Sequence, residues 1–299
     1  MKTRFKTYKS AAIFPVFAAL SLQAAVVFED NFARTALNPS DYAGKGDVWT
    51  TSGSSLGSRS VVDEELRSSR KSTSASGDFL AIAQFSKMQT FNTATKDQEK
   101  LTLMFDLRID SFLAAGNGGN SVRAGLYASS TTSRMFVAFG AVEVDGEVHN
   151  ALYVTASLTG TAAETRIIGY DTTTRTWAEG FDFGIYDKTT AANNKTGVLS
   201  IGITYLDQAT TALFTVTTAD NKSASITLTG IAASSWSDTT TSGGIRIYAP
   251  NSGDADFAVD NISLTATAAS IPESAAAAIL SGLGCLVLAA SCRRFRRQA

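Results

Sequence analysis

The chain runs to 299 residues with 26 basic and 27 acidic side chains, one histidine and two cysteines. Four basic residues fall in the first nine positions and four in the last seven, and Glu273 is the only acid outside 26–270, so that stretch keeps 18 basic against 26 acidic residues, a net charge of −8. This excess repels nucleic acid and anionic membrane surfaces, and with Cys285 and Cys292 both in the C-terminal tail the body has no disulfide, no thiolate metal site and no cysteine nucleophile.

The N-terminus reads as a signal peptide over residues 1–25. Lys2, Arg4, Lys6 and Lys9 form a basic n-region, residues 11–22 an apolar h-region, and Gln23-Ala24-Ala25 offers signal peptidase small residues, with cleavage after Ala24 or Ala25. The remaining body, 26–270, alternates apolar and polar residues at period two. The clearest run places Leu101, Leu103, Phe105, Leu107 and Ile109 on one face, with Thr102, Asp106, Arg108 and Asp110 on the other. Similar runs predict strands at 79–85, 122–128, 134–144, 151–157, 198–206, 212–217, 224–229 and 245–248. Breaks rich in Gly, Asn, Ser and Thr separate them, as at Gly116-Asn117-Gly118-Gly119. With ten or more strands, no helical period and no fixed repeat, the body is expected to be all-β, a two-sheet antiparallel sandwich of jelly-roll type.

Two segments between 143 and 186 carry candidate chemistry. In Glu143-Val144-Asp145-Gly146-Glu147, one continuous strand would put all three acids on one face. This resembles the Glu-x-Asp-x-Glu motif of family 16 glycoside hydrolases, themselves jelly rolls. The resemblance implies Glu143 as nucleophile, Glu147 as general acid/base and Asp145 as the residue tuning the pair. Retaining glycosidases hold such carboxyls about 5–5.5 Å apart. The family has a bulky apolar residue where this chain has Gly146, and no tryptophan precedes the motif to line a sugar subsite. Asp-Gly between alternating runs is also a strong type I′ hairpin signal. A hairpin here would set Val144 opposite Glu147 and Glu143 opposite Val148, turning the glutamates to opposite faces. His149 follows with no nucleophile motif beside it. Farther on, Tyr170, Trp177, Phe181, Phe183 and Tyr186 are interspersed with Asp171, Arg175, Glu179 and Asp182. Their rings could stack on sugar faces or simply pack beneath a loop. Trp49 and Trp236 lack such neighbours.

The last strand, from Phe257 to Leu264, slips phase. Phe257 and Val259 share one face while Ile262 and Leu264 have the opposite parity, which predicts a bulge at Asp260-Asn261. Together with the opening Val27-Phe28-Glu29-Asp30-Asn31-Phe32, this ending resembles the first and last strands of concanavalin A-like jelly rolls, among them many carbohydrate-binding modules. In several such modules the terminal strands hold a structural calcium, which Asp30 and Asp260 would ligate here. The alternative is that Asp260 fixes the bulge through backbone hydrogen bonds while Asp30 is solvated.

The chain ends in three parts: Ile271-Pro272-Glu273-Ser274, an uncharged run over 275–292, and Arg293-Arg294-Phe295-Arg296-Arg297. At about 1.5 Å per residue the run just spans a bilayer as a helix, with the arginines kept on the cytoplasmic side. A plain membrane anchor would look the same. This order resembles the PEP-CTERM sorting signal of bacterial exosortase substrates, with Ser274 where the family has a second proline. The resemblance covers residues 271–299. It implies export, transient anchoring in the inner membrane, processing by an exosortase-like enzyme, and release to the cell surface or an exopolysaccharide matrix. No Gly-x-Ser-x-Gly elbow between a strand and a helix is read in the body, which has no helical period, and His-Glu-x-x-His and phosphate-loop motifs are absent from the sequence. The expected role is therefore that of a non-catalytic surface or matrix protein whose jelly roll binds polysaccharide or other envelope components. The alternatives are an extracellular glycoside hydrolase or lyase using Glu143 and Glu147, and a purely structural envelope protein.

Overall fold

A computed structural model describes residues 25–37, 49–52, 56–71, 78–84, 98–114, 121–127, 134–158, 164–206, 210–231, 244–250 and 253–268. Most of the signal peptide, the sorting motif Pro272-Glu273-Ser274, the apolar run 275–292 and Trp236 lie outside these residues. Among the described residues no helix is long and apolar enough to cross a membrane.

Seventeen strands are described. In chain order they are β1 (Ala25–Asp30), β2 (Trp49–Ser52), β3 (Gly57–Val62), β4 (Glu65–Arg70), β5 (Asp78–Gln84), β6 (Gln98–Phe112), β7 (Ser121–Tyr127), β8 (Arg134–Val144), β9 (Glu147–Ala156), β10 (Glu164–Ile167), β11 (Tyr170–Asp171), β12 (Thr176–Trp177), β13 (Leu199–Leu206), β14 (Thr211–Thr218), β15 (Ser223–Thr229), β16 (Gly244–Pro250) and β17 (Ala255–Ala268). They form an eight-stranded sheet, β15-β14-β13-β6-β17-β4-β3 with β1 also on β17, and a seven-stranded sheet, β10-β9-β8-β7-β16-β5-β2. The pairs are antiparallel, and β11 and β12 make a separate two-stranded ribbon. The expected all-β, two-sheet antiparallel architecture is therefore present.

Period-two alternation is what builds the interior. Leu103, Phe105 and Leu107 of β6 lie opposite Ile203, Ile201 and Leu199 of β13, and all six are buried. From the other sheet, Leu126, Val137, Phe139, Leu152 and Val154 join the same core. Each such side chain contributes about 1.5–3 kcal/mol on burial.

The opening and closing strands pair with each other, Phe28 opposite Leu264 and Asp30 opposite Ile262. The bulge in β17 falls where the phase slip placed it. The β6 register jumps from Asp260↔Asp106 to Ser263↔Met104, and Asn261 takes a φ of 52°. Two residues of β17 thus oppose one of β6, and Ile262 and Leu264 return to the core.

The β3–β4 hairpin escaped the sequence pattern for two reasons. Its turn residues Asp63 and Glu64 both take positive φ without a glycine. The inward face of β4 also carries Ser68 and a fully buried Arg70, whose Nη1 donates to Gly253 O at 3.1 Å.

Candidate functional site

The β8–β9 connection is the two-residue hairpin that Asp145-Gly146 favours. Asp145 and Gly146 have φ of 52° and 89°, Val144 lies opposite Glu147, and Glu143 opposite Val148. Directly opposed residues share a face and successive residues alternate, so Glu143 and Glu147 point to opposite faces of the sheet. The single-strand arrangement needed for the family 16 pattern does not form.

The turn does connect to the aromatic segment. Tyr170 and Trp177 are a cross-strand pair in the β11–β12 ribbon, with ring centroids 4.9 Å apart. The Tyr170 hydroxyl donates a short hydrogen bond to the Asp145 carboxylate, which pushes the phenol pKa up. Arg175 Nε stands 3.7 Å from Asp145. The ribbon turn closes on Asp171, whose Oδ1 accepts the backbone N–H groups of Thr173 and Thr174 at 2.8 and 3.2 Å, holding its carboxyl below the usual range. The His149 ring lies 5.6 Å from Trp177, between Glu147 and Asp182, each 3.9 Å away.

The base of the ribbon is rigidly seated. Ala178 N–H donates to Gly169 O at 2.7 Å, and Ile168 N–H to Leu152 O at 2.8 Å. Gly169 has a φ of 76°, and a Cβ there would sit 2.4 Å from Phe181 Cβ, so only glycine admits this close approach. Beyond it, the chain pairs with the uncovered half of β9: Asn150 N–H donates to Gly184 O at 2.9 Å and Tyr186 N–H to Val148 O at 2.8 Å.

These contacts divide the aromatic candidates. Phe181 is fully buried in the core, and Tyr186 is half-buried, its hydroxyl accepting the Ala114 N–H at 2.7 Å. Both are anchors rather than stacking surfaces. Tyr170 and Trp177 remain partly exposed and line a shallow cleft of about 340 Å³ with Asp171, Thr176, Ser225 and Ile226. That volume lies near the lower end of the ~300–1,000 Å³ typical of small-molecule sites.

The opposite wall is β15, which among the described residues pairs only with β14. Thr218 N–H donates to Lys222 O at 2.9 Å. By alternation, Ala224, Ile226 and Leu228 turn their amides to β14, while Ser223, Ser225 and Thr227 turn theirs off the edge. Ser225 therefore offers backbone polar groups as well as a hydroxyl at the cleft. Sequence reasoning missed β15 as a cleft wall because only the fold brings residues 224–226 to residues 170–177.

The expected calcium ligands do not converge. Asp30, opposite inward-facing Ile262, is buried, and its carboxylate accepts Arg34 Nη2 at 2.6 Å, Trp49 Nε1 at 2.7 Å and Phe32 N–H at 2.8 Å. Asp260, opposite Asp106 on the outer face of the same sheet, accepts the Asn261 N–H at 2.7 Å across the bulge. A cation beside Asp30 would meet the Arg34 guanidinium already there, so these residues do not fit a shared calcium. Among the described residues no group of three or more His, Cys, Asp or Glu is placed to hold a metal ion. Trp49 belongs to the core, 5.9 Å from both Phe28 and Phe32 between ring centroids.

No family model matches the chain, and no curated protein matches it. Several solved structures align with it at low similarity. Lectin I from Ulex europaeus, in complex with the methyl glycoside of α-L-fucose, aligns at 12% identity over 78% of this chain and 97% of that one, with a TM-score of 0.47. The alginate lyase from Klebsiella pneumoniae aligns at 10% identity over 78% and 94%, TM-score 0.47, and peanut lectin at 10% over 79% and 97%, TM-score 0.45. At these identities and scores no residue, ligand or activity carries over.

Proposed function

We propose that this chain is an exported cell-surface or exopolysaccharide-matrix protein that binds polysaccharide without cleaving it, through the cleft between the Tyr170–Trp177 pair and β15. The observation that carries this reading is the aromatic pair itself: two rings at a surface cleft, seated on a buried Phe181 and a glycine that admits no side chain, with Thr176 and Ser225 close by. Flat apolar faces with a few fixed polar groups suit a sugar ring, and preorganisation lowers the entropy cost of binding. Export rests on the sequence ends. The 1–25 leader directs secretion. The 271–299 segment, resembling a PEP-CTERM signal, anchors the chain in the inner membrane until an exosortase-like enzyme releases it.

A glycan array with the detergent-solubilised full-length protein, read alongside reducing-sugar release, tests this reading. Binding without release, lost in Trp177→Ala, is the expected result. Release abolished by Glu143→Gln would make the protein a hydrolase. Absence of both binding and release would leave a structural envelope role.

A further inference from the structure

We infer that the cleft selects glycans bearing free amines, polymers of hexosamine, over glycans bearing uronate or sulfate, with Asp171 as the residue that reads the amine. This rests on the glycan-binding reading of the Tyr170–Trp177 cleft and adds the charge class of its ligand.

Among the described residues lining the cleft, Asp171 is the only one that carries a charge. Two backbone amides on Oδ1 favour its ionised form and hold its pKa below the usual carboxylate range. The neighbouring cations face other acids. Arg175 lies 3.7 Å from Asp145, Lys222 is 2.8 Å from Glu179, and Arg166 is paired with Glu164. Glu147 and Asp182 beside His149 add further negative charge behind Trp177.

An approaching ammonium thus meets a carboxylate and two aromatic faces, and cations are attracted to indole and phenol rings. A uronate in the same place meets like charge with no guanidinium or ammonium in the lining to receive it. The hydroxyls of a hexosamine would find Thr176, Ser225 and the outward amides of β15.

The experiment compares three oligosaccharide probes of equal length on the detergent-solubilised full-length protein: chitosan oligomers, their fully N-acetylated counterparts, and oligogalacturonate. At low ionic strength the free-amine oligomer is expected to bind about threefold or more tighter than the acetylated one, the size of a single exposed ion pair. Oligogalacturonate should bind weakest. The preference should vanish in Asp171→Asn, which keeps the Oδ1 acceptor for Thr173 and Thr174, and should shrink at high salt. Glu29→Gln removes the same charge from β1, separated from β15 by four strands, and should leave the preference intact.

Equal affinity for amine and acetylated probes, a preference for galacturonate, or an equal loss in Glu29→Gln would overturn the inference while leaving glycan binding standing. Failure of all three probes while Trp177-dependent binding appears elsewhere on a glycan array would also overturn it; no binding anywhere on the array, or binding unchanged in Trp177→Ala, would instead remove the glycan-binding reading on which it rests. Trp177-dependent binding of polylysine as tight as that of chitosan would point to a basic polypeptide ligand.

Discussion

Replacing Asp30 with Asn tests how the first strand, β1, is held against the core. The carboxylate's side-chain exposure is 1% and that of Arg34 is 11%. It receives the guanidinium through two nitrogens, the Trp49 indole N–H and the Phe32 amide. An amide in its place withdraws the charge opposite a nearly buried guanidinium and turns a donor toward existing donors. Breaking a buried ion pair from one side costs about 3–5 kcal/mol, and an orphaned indole N–H about 1–3 kcal/mol, with overlap between the two. A net loss of roughly 4 kcal/mol is expected, which in a domain of this size lowers Tm by about 8–16 °C. Urea and thermal unfolding of wild type and variant would measure it. A loss under about 1 kcal/mol would refute the assignment of Asp30 as the anchor of β1 and Trp49. So would a wild-type Tm that rises by several degrees with calcium over chelator, because the metal would then be using oxygens assigned here to Arg34.

Gly169→Ala should cost about 2–4 kcal/mol, since it combines positive-φ strain with overpacking onto Phe181, and should abolish glycan binding by displacing the ribbon; retained binding in a folded variant would show that the platform is not seated as described. Acid unfolding should begin below the ordinary Glu value of 4.5: burial alone would raise the Glu65 pKa, but the two-nitrogen contact from Arg108 and the charge of Arg67 more than offset it, and Asp256 is likewise lowered by Ser69, Ser111 and Lys71 against its own burial. Both carboxyls are held below their unfolded values, so their stabilisation is full above that range and is lost as pH falls through the depressed folded values. Arg108→Gln should therefore flatten this limb in a pH series of urea midpoints. Asp260 has the opposite sign, raised by burial and by Asp106, Glu65 and Glu64. Asp260→Asn keeps an acceptor for the bulge amide and should raise stability at pH 7 by up to about 1 kcal/mol, a gain that disappears near pH 4; a loss at pH 7 would contradict it.

Alternation in single strands was enough to read the all-β class and the bulge at Asp260-Asn261, because burying one sheet face writes a period of two into each strand. The Asp145-Gly146 turn was equally legible, since a two-residue hairpin needs positive φ at both positions and few residue pairs tolerate it. Strands with a polar inward face, such as β4 with Ser68 and Arg70, left no such trace. Which of five neighbouring aromatics reaches the surface was a matter of tertiary structure alone. Phe181 is buried against Gly169 while Trp177, four residues earlier, stays partly exposed at the cleft, and nothing in their spacing distinguishes the two. The same holds for Asp30, whose partners Arg34 and Trp49 are chosen by how β1 closes on β17, and for the cleft itself, whose two walls are more than forty residues apart in the chain. Local periodicity records which side of a strand is buried. It does not record what stands opposite, and that decides whether a carboxylate meets a guanidinium, a metal or a sugar.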